Sequence, residues 1–157
     1  MKILYISNQR LPTEKAYGIQ VVKMCEAWAK LGHEVTLLAP TRRNHISEDL
    51  FVYYGIKPNF EFKKMWAPDW YLPGGLDRLA FEIKMFFSAL ILARWVRGQH
   101  FELIYSRDEW PLWFLSFSQK NLCFEAHKFS RARRFFYRRF HKVGVKTVVI
   151  SQGLKNK

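Results

Sequence analysis

With 157 residues the chain is long enough to bury one ordinary core and too short for several domains. Its net charge of +13, from 26 basic against 13 acidic residues, asks for an anionic partner: nucleic acid, an anionic membrane surface or a phosphorylated substrate. Two cysteines in separate apolar segments fit a reducing cytosol better than a disulfide framework, while the longest apolar run, residues 85–93, is far short of the ~20 residues of a membrane span.

Residues 2–7 are a short apolar run predicted as a strand buried on both faces. Met1 leads straight into it, so no signal peptide is expected. A loop with Pro12 and Gly18 precedes a helix predicted over 19–31, where Val21, Val22, Cys25, Trp28 and Ala29 recur on one face. Gly32 stops that helix, and residues 35–39 form a second buried strand closed by Pro40. Strand, crossover helix and strand make a βαβ unit with neighbouring parallel strands. Ligands of such sheets bind beyond the carboxyl ends of the strands, which points to the loop 8–18.

Arg42, Arg43, Asn44 and His45 read as a polar loop after the second strand. Ser47, with Glu48 and Asp49 behind it, predicts a helix start whose apolar face is Leu50, Phe51 and Tyr54 and whose end is Gly55. Residues 60–63 alternate as an edge strand does, and the aromatic loop 65–75 either packs under the domain or meets a partner. A long helix over 76–97 carries Leu79, Ala80, Ile83, Phe86, Phe87, Leu90 and Ile91 on a broad apolar face. A buried strand over 101–106, a short helix over 110–115 and a strand from Leu122 to Phe124 follow, the last exiting through Glu125, Ala126 and His127. Residues 131–143 pattern as a basic amphipathic helix, with Ala132, Phe135, Phe136, Phe140 and Val143 opposite Arg131, Arg134, Arg138 and Lys142. After a final strand over 147–150, Ser151 would cap a further helix. The alternation predicts an α/β class: a Rossmann-like, doubly wound parallel sheet that stops just as a helix begins.

The loop after the first strand has no G-x-G-x-x-G, and nowhere is there a G-x-x-x-x-G-K-[ST], a zinc-type Cys/His spacing or a G-x-S-x-G. No metal site is expected. What remains resembles the amino-terminal, acceptor-side domain of a family-4 glycosyltransferase of the GT-B fold. The resemblance rests on residues 1–6, Pro12, residues 17–20, residues 30–38, residues 103–107, residues 124–127, and residues 148–151 with Gly153 and Leu154. Each piece alone is weak; their order along nearly the whole chain carries the likeness.

The resemblance implies half of an enzyme. Residues 1–157 would be the amino-terminal domain, truncated, with the carboxyl-terminal donor-binding domain and its paired glutamates missing or supplied by a separate subunit. The full enzyme would transfer a sugar from a nucleotide-sugar co-substrate to a sugar or lipid-linked acceptor, with retention of configuration and no cofactor. This half would be inactive alone.

Gly18 is either a plain turn glycine before the helix or lies where free backbone N–H groups and the helix dipole favour a phosphate and a missing side chain lets a ligand come close; the resemblance makes that ligand the donor diphosphate. Tyr17 stands where the family often has a second glycine, Gln20 closes the same motif, and Lys15 either adds charge there or is merely solvated. His127, at a strand exit, can bond and orient a sugar hydroxyl. Glu125 either binds acceptor hydroxyls or pairs with Arg107. Arg107 and Asp108 leave a strand on the same rim, where Arg107 clamps an acidic acceptor or pairs with Asp108 or Glu125. Ser151 completes the rim. His127 and Glu125 are the expected catalytic pair.

The helix carrying Arg131, Arg134, Arg138 and Lys142 is either a crossover helix with a solvated face or a binding face for an anionic membrane. A non-catalytic, membrane-docking subunit of a split glycosyltransferase is therefore the alternative, and a basic nucleic-acid-binding domain the third reading, unsupported by any RNA- or DNA-binding signature. The expected location is cytoplasmic, including the inner membrane face.

Overall fold

The computed structural model describes residues 1–70 and 77–150. Its strands are β1 (Lys2–Ile6), β2 (Glu34–Pro40), β3 (Glu61–Met65), β4 (Leu103–Ser106), β5 (Leu122–Ala126) and β6 (Lys146–Val149). They form one sheet in the order β3-β2-β1-β4-β5-β6, with every neighbouring pair parallel. The helices are α1 (Ala16–Lys30), α2 (Leu50–Tyr54), α3 (Asp77–Arg97), α4 (Glu109–Leu115) and α5 (Arg134–Val143), the last entered through a 3-10 turn at Arg131–Arg133. This is the Rossmann-like α/β class expected. Among the described residues, no helix is long and apolar enough to cross a membrane.

β1 is central because Ile3 to Ile6 are all buried and alternate between the two faces. Leu4 and Ile6 join Leu38, Ile104 and Leu122 beneath α3, α4 and α5. Ile3 and Tyr5 join Leu37, Tyr105 and Cys123 beneath Val21, Val22 and Cys25 of α1 and Leu50 of α2. Two helix layers therefore sandwich the sheet. The chain leaves β1 towards β2 on one side and β4 towards β5 on the other, which opens a crevice at the carboxyl ends between β1 and β4.

Some local expectations shift. α1 starts at Ala16 rather than at residue 19, taking Tyr17 and Gly18 into its first turn. Asp49, not Ser47, caps α2: its carboxylate accepts from the N–H of Phe51 at 2.8 Å and of Val52 at 3.4 Å. The apolar face of the basic helix is narrower than its pattern suggests, since Phe136 and Phe140 are buried while Ala132 and Phe135 are exposed. The 3-10 turn has three residues per turn, so Ala132 drops out of phase with α5. Residues 71–75 of the aromatic loop, Ser151 and the helix expected after it lie outside the described residues.

Buried polar groups tie α3 to the ends of β1 and β2. The Arg42 guanidinium donates to Ser88 Oγ at 2.7 Å and to the Pro68 carbonyl at 2.8 Å. Ser88 donates to Asn8 Oδ1 at 2.6 Å, and Asn8 Nδ2 donates to the Met85 carbonyl at 2.8 Å. Asp69 accepts from the Arg43 N–H at 2.7 Å and pairs with Lys84 at 3.0 Å. Burial by itself raises the Asp69 carboxyl; the Arg43 N–H, Lys84 and Arg42 outweigh it and hold the group below its ordinary value of 3.8. A carboxyl lowered by folding contributes stability that is present above its ordinary value and lost as pH falls below it. Asp69→Asn is therefore expected to lower the melting temperature at neutral pH and to flatten its fall below pH 3.8. Parallel melting curves for the two proteins across the acid range would contradict that role.

Candidate functional site

Glu125 is the next-to-last residue of β5 and turns towards the α1 side of the sheet, where it is 2% exposed. Its Oε1 accepts from His127 Nε2 at 2.6 Å and from the Gln20 amide at 2.7 Å, and Tyr5 Oη lies 3.5 Å from its Oε2. A carboxylate only accepts, so His127 Nε2 carries the proton of this bond and Nδ1 is the ring nitrogen left for another partner. Gln20 bridges outward: its amide oxygen accepts from the Arg107 guanidinium at 3.0 Å. These two bonds settle which end of the Gln20 amide faces which partner. Arg107 in turn sits over the Tyr17 ring, 5.7 Å from its centroid.

The result is a polar chain, Arg107–Gln20–Glu125–His127, built from the exits of β4 and β5 and the first turns of α1. Burial first, and the Glu125 charge next, push the Tyr5 and Tyr105 phenols well above their usual range, so both remain protonated donors beneath the carboxylate. Of the alternatives for Arg107, the direct pair with Glu125 gives way to Gln20, which stands between them, and the Asp108 carboxylate is taken by Asn8 and Gln9. Glu125 itself is covered, whereas His127 is part-exposed beside it.

Asp108 is engaged elsewhere. Its carboxylate accepts from the Asn8 N–H at 2.7 Å and from Gln9 Nε2 at 3.1 Å, joining the β1 and β4 exits across the crevice. Burial holds its carboxyl above the usual range against the pull of those two donors. A cleft of about 360 Å³ opens over this rim, lined by Lys15, Tyr17, Arg107, Asp108 and His127 with Arg133 among its walls. A neighbouring recess of about 390 Å³ shares Gln9, Lys15 and Tyr17. Lys15 stands exposed at the lip. Among the described residues, no group of three or more His, Cys, Asp or Glu side chains converges as a metal site would require.

Gly18 reaches the same corner, but the space beside it is filled from within. A Cβ there would lie 2.1 Å from the Tyr54 hydroxyl and 2.6 Å from Thr13 Cγ2. That hydroxyl is held on two sides, accepting from the Thr13 N–H at 2.9 Å and donating to the Thr13 carbonyl at 2.7 Å. The missing side chain thus lets α2 pin the loop before α1. Gly18→Ala is expected to cost about 2 kcal/mol and roughly 6 °C of melting temperature. Combined with Tyr54→Phe, which removes the clashing oxygen, the loss should be less than additive. Full additivity would show that the two side chains do not meet.

Sequence reasoning singled out none of three further participants, although two of them lie in the loop 8–18 to which it pointed. Asn8 and Gln9 follow the first strand with no motif to mark them. Arg133 donates to Glu109 at 2.6 Å and to Glu82 at 3.2 Å, closing one wall of the cleft. Its signal was available: it precedes the buried Phe136 and Phe140 by three and seven residues, an arginine on an apolar face. Ser151 lies outside the described residues.

No protein-family model matches the sequence, and no curated protein matches it. Among solved structures, the chain is similar to apo UGT2 of Phytolacca americana at 13% identity and a TM-score of 0.48, over 79% of this chain and 29% of that one. It is also similar to the C-terminal domain of a Pyrococcus furiosus hydrogenase at 17% identity and a TM-score of 0.45, over 94% and 89% of the two chains. The chain therefore spans less than a third of the plant protein's length. Neither likeness assigns an activity.

Proposed function

We propose that the chain is the acceptor-side half of a family-4-like GT-B glycosyltransferase, acting with a donor-binding domain or subunit to move a sugar from a nucleotide-sugar to an acceptor hydroxyl with retention of configuration. The observation that carries this reading is the Arg107–Gln20–Glu125–His127 chain beneath a polar cleft at the carboxyl rim. Sugar hydroxyls are recognised by groups that donate and accept at fixed positions, and a histidine backed by a buried carboxylate offers such a group in one orientation. Arg107 and Lys15 supply positive charge along the same rim for a phosphate of the donor or acceptor. A nucleotide resting on this rim alone would be held on one side only.

The test uses the purified chain and a panel of nucleotide-sugars, with product configuration followed by NMR. The chain alone is expected to turn over none of them, and addition of the donor-binding domain or subunit to restore transfer with the anomeric configuration kept. Robust turnover by the chain alone, or an inverted product from the reassembled pair, would contradict the proposal.

A further inference from the structure

We propose that the outer face of the α3–α4–α5 layer docks on an anionic lipid bilayer. These helices cover one side of the sheet, so their outward faces point the same way and make one surface. On α3, Leu79, Ile83, Phe87 and Leu90 recur at helical spacing and stand 58%, 38%, 41% and 37% exposed. The core-facing side of that helix is already supplied by Ala89, Leu92, Ala93 and Val96, all fully buried. Folding has no use for the second apolar stripe.

Aromatic rings continue the surface across the layer. Trp70 meets Phe87 edge-on with centroids 5.9 Å apart, and Phe87 meets Phe86 at 5.5 Å. Phe86 meets Trp110 of α4 at 5.1 Å, and Trp110 meets Phe135 of α5 at 6.0 Å. The two ends of this row, Trp70 and Phe135, are 52% and 47% exposed.

Charge selects the occupant. Arg131, Arg134, Arg138 and Lys142 are exposed around Phe135, whereas the ion pairs of this segment are made by Arg133, on the inward side with Glu82 and Glu109. Arg94 is exposed in line with the α3 stripe. Neither α5 nor α3 beyond Glu82 contains an acidic residue. Rings and aliphatic side chains settle into the boundary between headgroups and acyl chains while flanking cations meet lipid phosphates, which is the combination on this face. A nucleic acid would engage the cations and leave the α3 aliphatics in water.

Cosedimentation of the 157-residue chain with phosphatidylcholine vesicles, with and without phosphatidylglycerol, tests the docking. Binding is expected only with the anionic lipid and should weaken as salt shortens the Debye length below ~8 Å. Each cation near such a surface strengthens binding about fivefold, so changing Arg131, Arg134, Arg138 and Lys142 together to glutamine should weaken it at least a hundredfold. Ile83→Asn combined with Phe87→Ser should weaken it by about tenfold. Both variants alter exposed positions, and melting curves should stay close to the parent's; the salt titration of the unmodified chain needs no variant. Failure of the unmodified chain to bind anionic vesicles would overturn the proposal, as would binding indifferent to both variants. Tight binding to duplex RNA that falls with the glutamine variant but ignores the α3 pair, with vesicles unbound, would replace the bilayer by nucleic acid.

Discussion

In the assembly proposed above, His127→Ala is expected to lower kcat about a hundredfold with donor and acceptor saturating. The ring is held by its 2.6 Å bond to Glu125, so its free nitrogen is aimed before substrate arrives. A preorganised group of this kind gains strength as charge builds on the reacting atoms, and losing one costs ~2–4 kcal/mol in the transition state. KM should move less than kcat, because the same bond is weaker in the ground state. Stability should hardly change: Glu125 keeps its bond to Gln20, and the histidine is a rim residue with little core contact. Near-normal turnover would remove His127 from the chemistry. A collapsed melting temperature would make it structural and leave Arg107 as the leading functional residue of the rim.

Phe136→Ala should do the reverse. This side chain is 1% exposed and lies at the junction of α4, α5 and the sheet, with ring centroids 4.8 Å from Trp110 and 3.9 Å from Phe135. Truncating a buried phenylalanine costs ~3–5 kcal/mol, because the transfer term is joined by a cavity its neighbours fill only in part. For a domain of this size that is roughly 10 °C of melting temperature. The proposed site is built by β4, β5 and α1, so activity measured well below the new transition should remain near normal. Loss of activity without loss of stability would instead tie α5 to the reaction, through Arg133 and the cleft wall it makes with Glu109.

The layout of the sheet was legible because β1 and β2 are continuous apolar runs separated by one helical period and a stop glycine. Gly32 has φ +84°, a conformation that costs other residues energy. Right-handed crossovers then made the strands parallel. The composition of the rim was legible too, since Arg107 and His127 each follow a strand and Glu125 lies at the end of one. Their connection was not. Gln20 and Glu125 are 105 residues apart, and nothing local announces that an amide will sit between a guanidinium and a carboxylate. Gly18 illustrates a different limit: a glycine that admits a ligand and one that admits Tyr54 look the same in sequence. Phe135 illustrates a third, because an apolar residue at the margin of a helical face is assigned to the core by periodicity alone. Its exposure became visible only once Trp110 was seen to take one side of the ring and solvent the other.

In the proposed function His127, oriented by Glu125, meets a sugar hydroxyl in the rim cleft. Long-range proton–nitrogen NMR of its imidazole, recorded while nucleotide-sugar and acceptor are titrated into the reassembled enzyme, tests this most directly. The expected result is that Nε2 keeps its proton towards Glu125 while the Nδ1 resonance moves and saturates with ligand, a response lost in Glu125→Ala. An imidazole whose nitrogens stay unmoved at saturating ligand, while other signals of the same protein shift, would contradict the claim.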